Sequence, residues 1–153
     1  MIRPATYDDV AELVAFAQEC QECMPWESHG LVMNLDGVIH TYLGLLESPA
    51  ADLSVVDLGN GISGACAVMV QPYALDKGLL IASEWMWHMR PSFPEGLAKR
   101  KWIVRMLDHM LDWSRSKGAH VFKANTVHGD SALTALLERR GIAPMETSCI
   151  GRL

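Results

Sequence analysis

Three predicted strands in a row, within residues 53–89, constrain the fold of this chain more than any other feature. The first, 53–58, ends at Gly59-Asn60-Gly61, a sequence typical of a tight hairpin turn. The apolar segment 62–73 follows, and after a second turn the segment 79–89 forms the third strand. Strands joined by such short turns pair antiparallel, so we expect a meander at the centre of one sheet.

The side chains of the third strand are expected to alternate between the two faces of this sheet, because successive residues of a strand point to opposite sides. One face would carry Glu84, Met86 and His88, and the other would carry Trp85, Trp87 and Met89. The only acid of this strand would therefore share a face with its histidine.

Amphipathic helices surround the meander. Apolar residues at helical spacing predict a first helix over 7–20 and a second over 35–47, and the longest helix, 97–117, stops at Gly118. We further expect a buried strand over 119–124, a helix from Asp130 or Ser131 to Arg140, and two short strands within 142–153. The predicted order is β-α-α-β-β-β-α-β-α-β-β, an α/β fold with one mixed sheet in a single domain over residues 1–153.

Charge is distributed unevenly along the 153 residues, whose net charge is −5. Residues 1–60 contain one base, Arg3, and ten acids, whereas residues 61–153 carry the other twelve bases and only eight acids. A general nucleic-acid binder would need a dominant positive surface, so we expect no nucleic-acid partner. The asymmetry suits a domain that binds an anion on one half and a cation on the other, although a solvated acidic face has the same pattern.

The sequence predicts neither a leader nor a membrane segment. Residues 1–19 lack a continuous hydrophobic run, and the longest apolar stretches are far shorter than a membrane span. Cys20 and Cys23 form a CxxC pair, but Cys66 and Cys149 have no Cys or His beside them to complete a zinc site. Free thiols in a reducing cytosol are the favoured interpretation. We therefore expect a cytoplasmic protein with no metal and no membrane contact.

The loop before the longest helix is the most informative segment for function. Five of the thirteen bases lie at or near it: Arg90, Lys99, Arg100, Lys101 and Arg105. A helix N-terminus already carries partial positive charge, so bases in its first turns are unfavourable unless an anion binds there. Backbone N–H groups, the helix dipole and these side chains would then all favour a phosphate. A solvated basic face is the alternative.

The order of the elements, with a strand, a phosphate loop and a long helix at its centre, resembles the GNAT superfamily of N-acetyltransferases. Residues 2–9 are similar to the family's first strand and helix start, and residues 131–142 to its last helix. Gly96-Leu97-Ala98 reproduces half of the signature with which the family binds the pyrophosphate of coenzyme A through backbone amides. Phe93 stands where the family has Gln or Arg, and Glu95 lies inside the loop.

The resemblance implies the acyl-CoA N-acyltransferase fold and acetyl-CoA as co-substrate. A backbone N–H near Met89 would polarise the thioester carbonyl. The residues assigned to acetyl-CoA, from the resemblance and the basic helix start together, are Met89, Arg90, Gly96, Leu97, Ala98, Lys99, Arg100 and Lys101.

Acetyl transfer to an amine needs a base, and Glu84 is the first candidate because it is the only acid of the third strand. Burial among the tryptophans would raise its pKa into a useful range, whereas an ion pair with Lys77 or Arg90 is the alternative. His88 is the second candidate, as a proton relay or merely as cover for the sheet. The Tyr that the family often uses as the acid is replaced by Leu137, and Ser131 is the candidate substitute.

The amine acceptor is expected against the first two helices and the loop between them, where the acids cluster. Candidate contacts are Trp26, Glu27, His29 and Tyr42. The predicted function is an acetyl-CoA-dependent N-acetyltransferase acting on a primary amine of a small molecule or protein. The alternative is a catalytically silent GNAT-like protein with a binding or structural role. We also expect a homodimer, because such a sheet can leave an exposed edge.

Overall fold

The computed structural model describes residues 1–23, 33–125 and 131–143. The strands among them are β1 (Ile2–Pro4), β2 (Ala51–Asp57), β3 (Ile62–Tyr73), β4 (Asp76–Met89) and β5 (Val121–Lys123). The helices are α1 (Val10–Glu22), α2 (Leu35–Glu47), α3 (Leu97–Ser116) and α4 (Ser131–Arg139). A single 3-10 turn at Tyr7–Asp9 precedes α1, where the sequence pattern had predicted the first turn of the helix itself.

The five strands form one sheet in the order β1-β2-β3-β4-β5. Neighbouring strands are antiparallel as far as β4, and β5 then pairs parallel with β4. The predicted mixed α/β fold, its central meander and the order of elements through α4 are confirmed. Of the segment predicted to hold two final strands, residues 144–153 lie outside the described residues.

The sheet is covered by helices on both faces, which explains why the segment of β3 reads as a continuous apolar run. On one face, α3 packs on a cluster that includes Cys66, Val68, Trp87 and Met106. On the other face, α1 and α2 pack on a cluster that includes Phe16, Leu45, Ala65 and Ala67. Adjacent β3 residues on opposite faces are both fully buried, so the strand has no polar side to show in the sequence.

β5 is shorter and more exposed than the predicted buried strand over 119–124. It consists of three residues, and Val121 is 45% exposed. Within the described sheet β5 is the last strand and pairs on one side only, with β4. The prediction of a buried strand was therefore wrong for this edge position.

β4 contains a bulge at Trp85. Ala67 of β3 lies opposite Met86, whereas the next residue, Val68, lies opposite Glu84. Trp85 is therefore the extra residue of the β4 strand, and its side chain is 55% exposed. A bulge of this kind bends a strand and resets its alternation.

The bulge separates Glu84 and His88, which the sequence had placed on one face. Glu84 shares the α3 face with Val68, because directly opposed residues of antiparallel strands lie on the same side. His88 lies opposite Ala65, and Met86 lies opposite Ala67. Both are therefore on the face that α1 and α2 cover. The predicted common face of Glu84, Met86 and His88 was wrong because it assumed uninterrupted alternation.

A polar cluster that sequence reasoning missed holds α3 against β2. Ser54 Oγ donates a hydrogen bond to Asp52 Oδ2 at 3.0 Å, and His109 Nε2 lies 2.9 Å from the same oxygen and 3.1 Å from Ser54 Oγ. Ser54 is fully buried, so its hydroxyl is not open to a substrate. The cluster instead sets the position of α3 on the sheet.

An ion-pair cluster around Arg3 fastens the chain start. The guanidinium binds both oxygens of Asp9, at 2.8 and 2.9 Å, and its Nε donates to Asp57 Oδ2 at 3.0 Å. Thr6 adds backbone and hydroxyl donors to Asp9, at 2.8 and 3.0 Å, and the two residues form a capping box. The hydrogen bonds from Arg3 hold the pKa of Asp9 well below its usual range.

Replacing Asp9 should destabilise the fold in a pH-dependent way. Asp9→Asn is expected to lower the free energy of unfolding by about 1–3 kcal/mol at neutral pH, as measured by urea denaturation. Because the pKa of Asp9 is lower in the folded than in the unfolded state, its contribution is present at neutral pH. It is lost as the pH falls from about 5 towards about 2, so the difference from the wild type should narrow over that range.

Asp8→Asn is the matched control, because Asp8 is exposed and lies beside Asp9. It should change the unfolding free energy by less than about 0.5 kcal/mol. A difference between wild type and Asp9→Asn that stays constant down to about pH 2 would contradict this account of the cluster.

Candidate functional site

β4 and β5 diverge after Ser83 and Lys123, and this point of divergence is called the fork. Their pairing ends at Ser83 and Lys123, while β4 continues to Met89. The N–H of Arg90 donates to Ser63 O of β3 at 2.9 Å. Because successive N–H groups along a strand point to opposite edges, the N–H groups of Met89 and Trp87 point away from β3. Among the described residues no strand covers this edge of β4 beyond the fork.

Glu84 lies where the two strands separate. Its Oε2 accepts a hydrogen bond from the backbone N–H of Asn125, just beyond β5, at 3.2 Å. Burial raises the pKa of Glu84 above its ordinary value, and the bonds from Asn125 partly oppose that shift. From the sequence, an ion pair with Lys77 or Arg90 was the alternative for this carboxylate. In the structure its partner is the backbone N–H of Asn125.

His88 lies beyond the bulge on the opposite face, towards α1 and α2. Burial lowers the pKa of its imidazole below the ordinary value, so the neutral form is favoured near neutral pH. Glu84 and His88 are therefore not brought together, and a proton relay between them has no geometric basis.

The N-terminus of α3 follows the end of β4 after a short loop. Gly96 has φ +128°, a backbone conformation that other residues rarely adopt, and a Cβ there would meet no atom within 4 Å. Glycine is thus required for the backbone angle and not for space. Gly96 provides no side-chain cap to the first turn, which leaves the N–H groups of Leu97 and Ala98 available to an anion.

The cations predicted at this helix start have different surroundings. Lys99 is only 16% exposed and pairs with Glu95 at 2.5 Å, whereas the guanidinium of Arg105 stacks 4.9 Å from the ring centroid of Trp102. Arg100 and Lys101 are exposed, and the described residues give neither one an ion-pair partner. Those two side chains are open to solvent beside the helix start.

Arg90 and Phe93, at the start of the same loop, point elsewhere. Arg90, expected among the cofactor contacts, donates to Glu19 at 2.8 Å and to Glu12 at 3.4 Å, both on α1. Phe93, which stands where the family has a polar residue, packs against the core cluster under α3. The loop is therefore held by an ion pair on one side of the sheet and by an apolar contact on the other.

The expected acceptor residues are mostly outside the described part of the chain. Trp26, Glu27 and His29 fall within 24–32, which the structure does not describe. Tyr42 is described, and it is a core residue that is only 5% exposed, where burial raises its pKa to about 12. Little of its ring is left to contact an acceptor.

The residues considered for the acid role lie on α4. Ser131 is the first residue of this helix, and its side chain is outside the described part. Leu137, at the position of the family's Tyr, is 5% exposed in the core cluster under α3.

A groove of about 200 Å³ lies at the other end of α3. Leu111, His120, Phe122 and Arg140 are among its lining residues. Leu111, the lining residue of α3 nearest the helix start, lies 15 residues after Gly96, roughly 22 Å along the helix, so the groove is not part of the site at the helix start.

No helix among the described residues is long and apolar enough to cross a membrane. In the same part of the chain, no group of three or more His, Cys, Asp or Glu residues could hold a metal ion.

No family model matches the chain, and no curated protein matches its sequence. Solved structures do match its fold. Glucosamine-6-phosphate N-acetyltransferase from Arabidopsis thaliana has a TM-score of 0.72 at 10% identity, with 99% of this chain and 97% of that one covered. An acetyltransferase from Trypanosoma brucei has a TM-score of 0.71 at 15% identity, covering 100% and 99%. A protein from Bacillus halodurans C-125 described as a transcriptional regulator has a TM-score of 0.75 at 16% identity, covering 100% and 99%.

The chain thus has the fold of the GNAT acetyltransferases. Sequence identities of this size establish a common fold and nothing further.

The opposite placement of Glu84 and His88 can be tested by titration. NMR should give the His88 imidazole a pKa below its ordinary value and the Glu84 carboxyl a pKa above its ordinary value, both because of burial. Because the two groups lie on opposite faces, Glu84→Gln should move the His88 pKa by less than about 0.3 units. A shift of about one unit or more would mean that the two side chains share a face after all.

Proposed function

We propose that this protein is an acetyl-CoA-dependent N-acetyltransferase that transfers an acetyl group to a primary amine. The observation that carries the proposal is the fork between β4 and β5, whose open backbone edge leads to the uncapped start of α3. An extended thioester arm could hydrogen bond along that edge while its diphosphate binds the helix start. One continuous surface thus suits both parts of such a substrate.

In this proposal the backbone N–H groups of β4 hold the acyl end. The N–H of Met89 binds the arm nearer the diphosphate, and that of Trp87, farther into the fork, polarises the thioester carbonyl. At the helix start, the N–H groups of Leu97 and Ala98 receive the diphosphate because Gly96 turns the chain there.

The cations of the helix start serve the diphosphate to different degrees. Arg100 and Lys101 are exposed and can approach it directly. Lys99 contributes once its pair with Glu95 opens. Arg90 acts from a distance, because its guanidinium is held by α1.

His88 is the base that the geometry favours. It lies on the face of β4 that α1 and α2 cover, where the acceptor is expected. Burial keeps its imidazole neutral near neutral pH, so it can accept the proton that the amine loses on attack. Glu84, on the α3 face, is a positioning residue that joins β4 to the segment after β5.

The second candidate is a catalytically silent binding protein, and three observations favour it. Phe93 is committed to the core, the carboxylate of Glu95 occupies Lys99 at the helix start, and Leu137 replaces the usual acid. Binding of acetyl-CoA distinguishes the two candidates, because a retained scaffold has no need of the pocket.

Isothermal titration with acetyl-CoA at moderate salt tests the helix start. The wild type should bind with a Kd on the order of 1–100 μM. Arg100→Glu should weaken binding at least about 10-fold, since it places an acid at the positive end of the helix. Glu95→Gln should tighten it by about 3-fold to 10-fold, because it removes a competing carboxylate and frees Lys99.

Arg115→Glu is the matched control, with the same change of charge on an exposed residue at the far end of α3. It should leave the Kd within about 2-fold of the wild type, since its charge is more than a Debye length away. No heat and no thermal shift at millimolar acetyl-CoA would favour the silent binding protein. Equal weakening by Arg100→Glu and Arg115→Glu would point to unspecific charge attraction.

A screen of primary amines, with release of the CoA thiol as the readout, tests the base. His88→Gln should lower kcat by about 10²-fold to 10⁴-fold while the Kd for acetyl-CoA stays unchanged. Glu84→Gln should mainly weaken acetyl-CoA binding, since it loosens the fork. If Glu84→Gln abolishes kcat at an unchanged Kd and His88→Gln does not, the base is Glu84.

A further inference from the structure

Arg90 is the first residue after β4 and opens the loop that leads to α3. Its backbone N–H donates to Ser63 O at 2.9 Å, and its carbonyl accepts from the N–H of Phe93 at 2.9 Å. The two backbone bonds fix both the end of β4 and the first turn of the loop. The position of Arg90 therefore determines how the loop departs towards Gly96.

The side chain of Arg90 lies across one face of α1. Glu12, Phe16 and Glu19 recur there at helical spacing, and the guanidinium carbon lies 5.9 Å from the ring centroid of Phe16. The ion pairs measure 2.8 Å to Glu19 and 3.4 Å to Glu12. Glu12 also accepts the N–H of Ile62 at 2.7 Å, so the same carboxylate is fixed to the β2–β3 turn.

The ion pairs of Arg90 are partly removed from solvent. Its side chain is 22% exposed, and its Nε is buried without an acceptor among the described residues. Charge-assisted bonds to carboxylates at such positions are stronger and more directional than those between exposed side chains. The contact to Glu19 is thus able to hold the loop in one position relative to α1.

The last residue of the loop before Gly96 is fixed separately from the first. Glu95 pairs with Lys99 of α3 across Gly96. The loop is therefore held to α1 at its first residue, through Arg90 and Glu19, and to α3 at its last.

We propose that Arg90 is a positioning residue that couples α1 to the loop at the start of α3, so that its ion pairs with α1 set the affinity for acetyl-CoA without touching it. This inference rests on the proposed function, because it assigns a role within the same site. It also has a consequence for regulation. An amine that shifts α1 on binding changes the affinity for acetyl-CoA, and acetyl-CoA changes the affinity for the amine by the same factor.

A double-mutant cycle on the Kd for acetyl-CoA tests the coupling. Arg90→Met and Glu19→Gln should each weaken binding by about 5-fold to 10-fold, and the double variant should bind no more weakly than Arg90→Met alone, because both changes break one interaction. If Arg90→Met weakens binding but Glu19→Gln does not, Arg90 acts on the ligand through its own charge and not through α1, and the proposal is wrong. An unchanged Kd in Arg90→Met would overturn it equally.

Arg3→Met is the control for a merely structural effect. Arg3 also binds two carboxylates and is similarly part-exposed, but it fastens β1 and the turn before α1. It should lower Tm about as much as Arg90→Met does and leave the Kd within about 2-fold of the wild type. A loss of affinity in Arg3→Met equal to that in Arg90→Met would show general destabilisation and not coupling.

Hydrogen exchange of the free protein separates failure of this inference from failure of the proposed function. The N–H groups of Phe93 and Arg100 are bonded to Arg90 O and Gly96 O, and they report on the loop without any ligand. Glu19→Gln should speed their exchange about 5-fold or more while Arg3→Met does not. Faster exchange in a protein that binds no acetyl-CoA would support the coupling and reject the proposed function. Unchanged exchange would reject the coupling.

Discussion

The bulge at Trp85 is the constraint on which the candidate site depends. One extra residue in β4 turns Glu84 towards α3 and His88 towards α1 and α2. It also lies just past the last pair between β4 and β5, at the point where the two strands separate. Without it the alternation of the strand would continue, and both titratable groups would lie on one face. The local irregularity thus places the two titratable groups on opposite faces, and it lies where the backbone edge of β4 becomes open.

The second organising element is the electrostatics of the loop from Arg90 to Gly96. The loop ends at the positive end of α3, where three bases follow in the first turns. Two of the charges near it are already neutralised within the protein, Lys99 by Glu95 and Arg90 by the carboxylates of α1. The remaining cations, Arg100 and Lys101, are the ones open to solvent. Arg90 thus connects the loop to α1, on the face where the amine is expected, while Arg100 and Lys101 stay open to the expected diphosphate.

Much of the fold could be predicted because its signals are local. Turn residues at Gly59-Asn60-Gly61 and apolar spacing in the helices fixed the meander and its helical cover. The bulge could not be predicted, because it arises from the register between β3 and β4, and every residue near it is compatible with a regular strand. The partners of Glu84 and Arg90 were missed for a similar reason, since Asn125 and Glu19 are brought to them only by the tertiary fold.

The most direct test of the central claim is the change in backbone amide NMR shifts when acetyl-CoA is added to the wild-type protein. The account predicts the largest changes along the open edge of β4, at Trp87 and Met89, and at the start of α3, at Leu97 and Ala98. Amides of β2, on the far side of β3, should change little. Shift changes confined to the groove near His120, or no changes at saturating ligand, would contradict the claim that the fork and the helix start form one acetyl-CoA site.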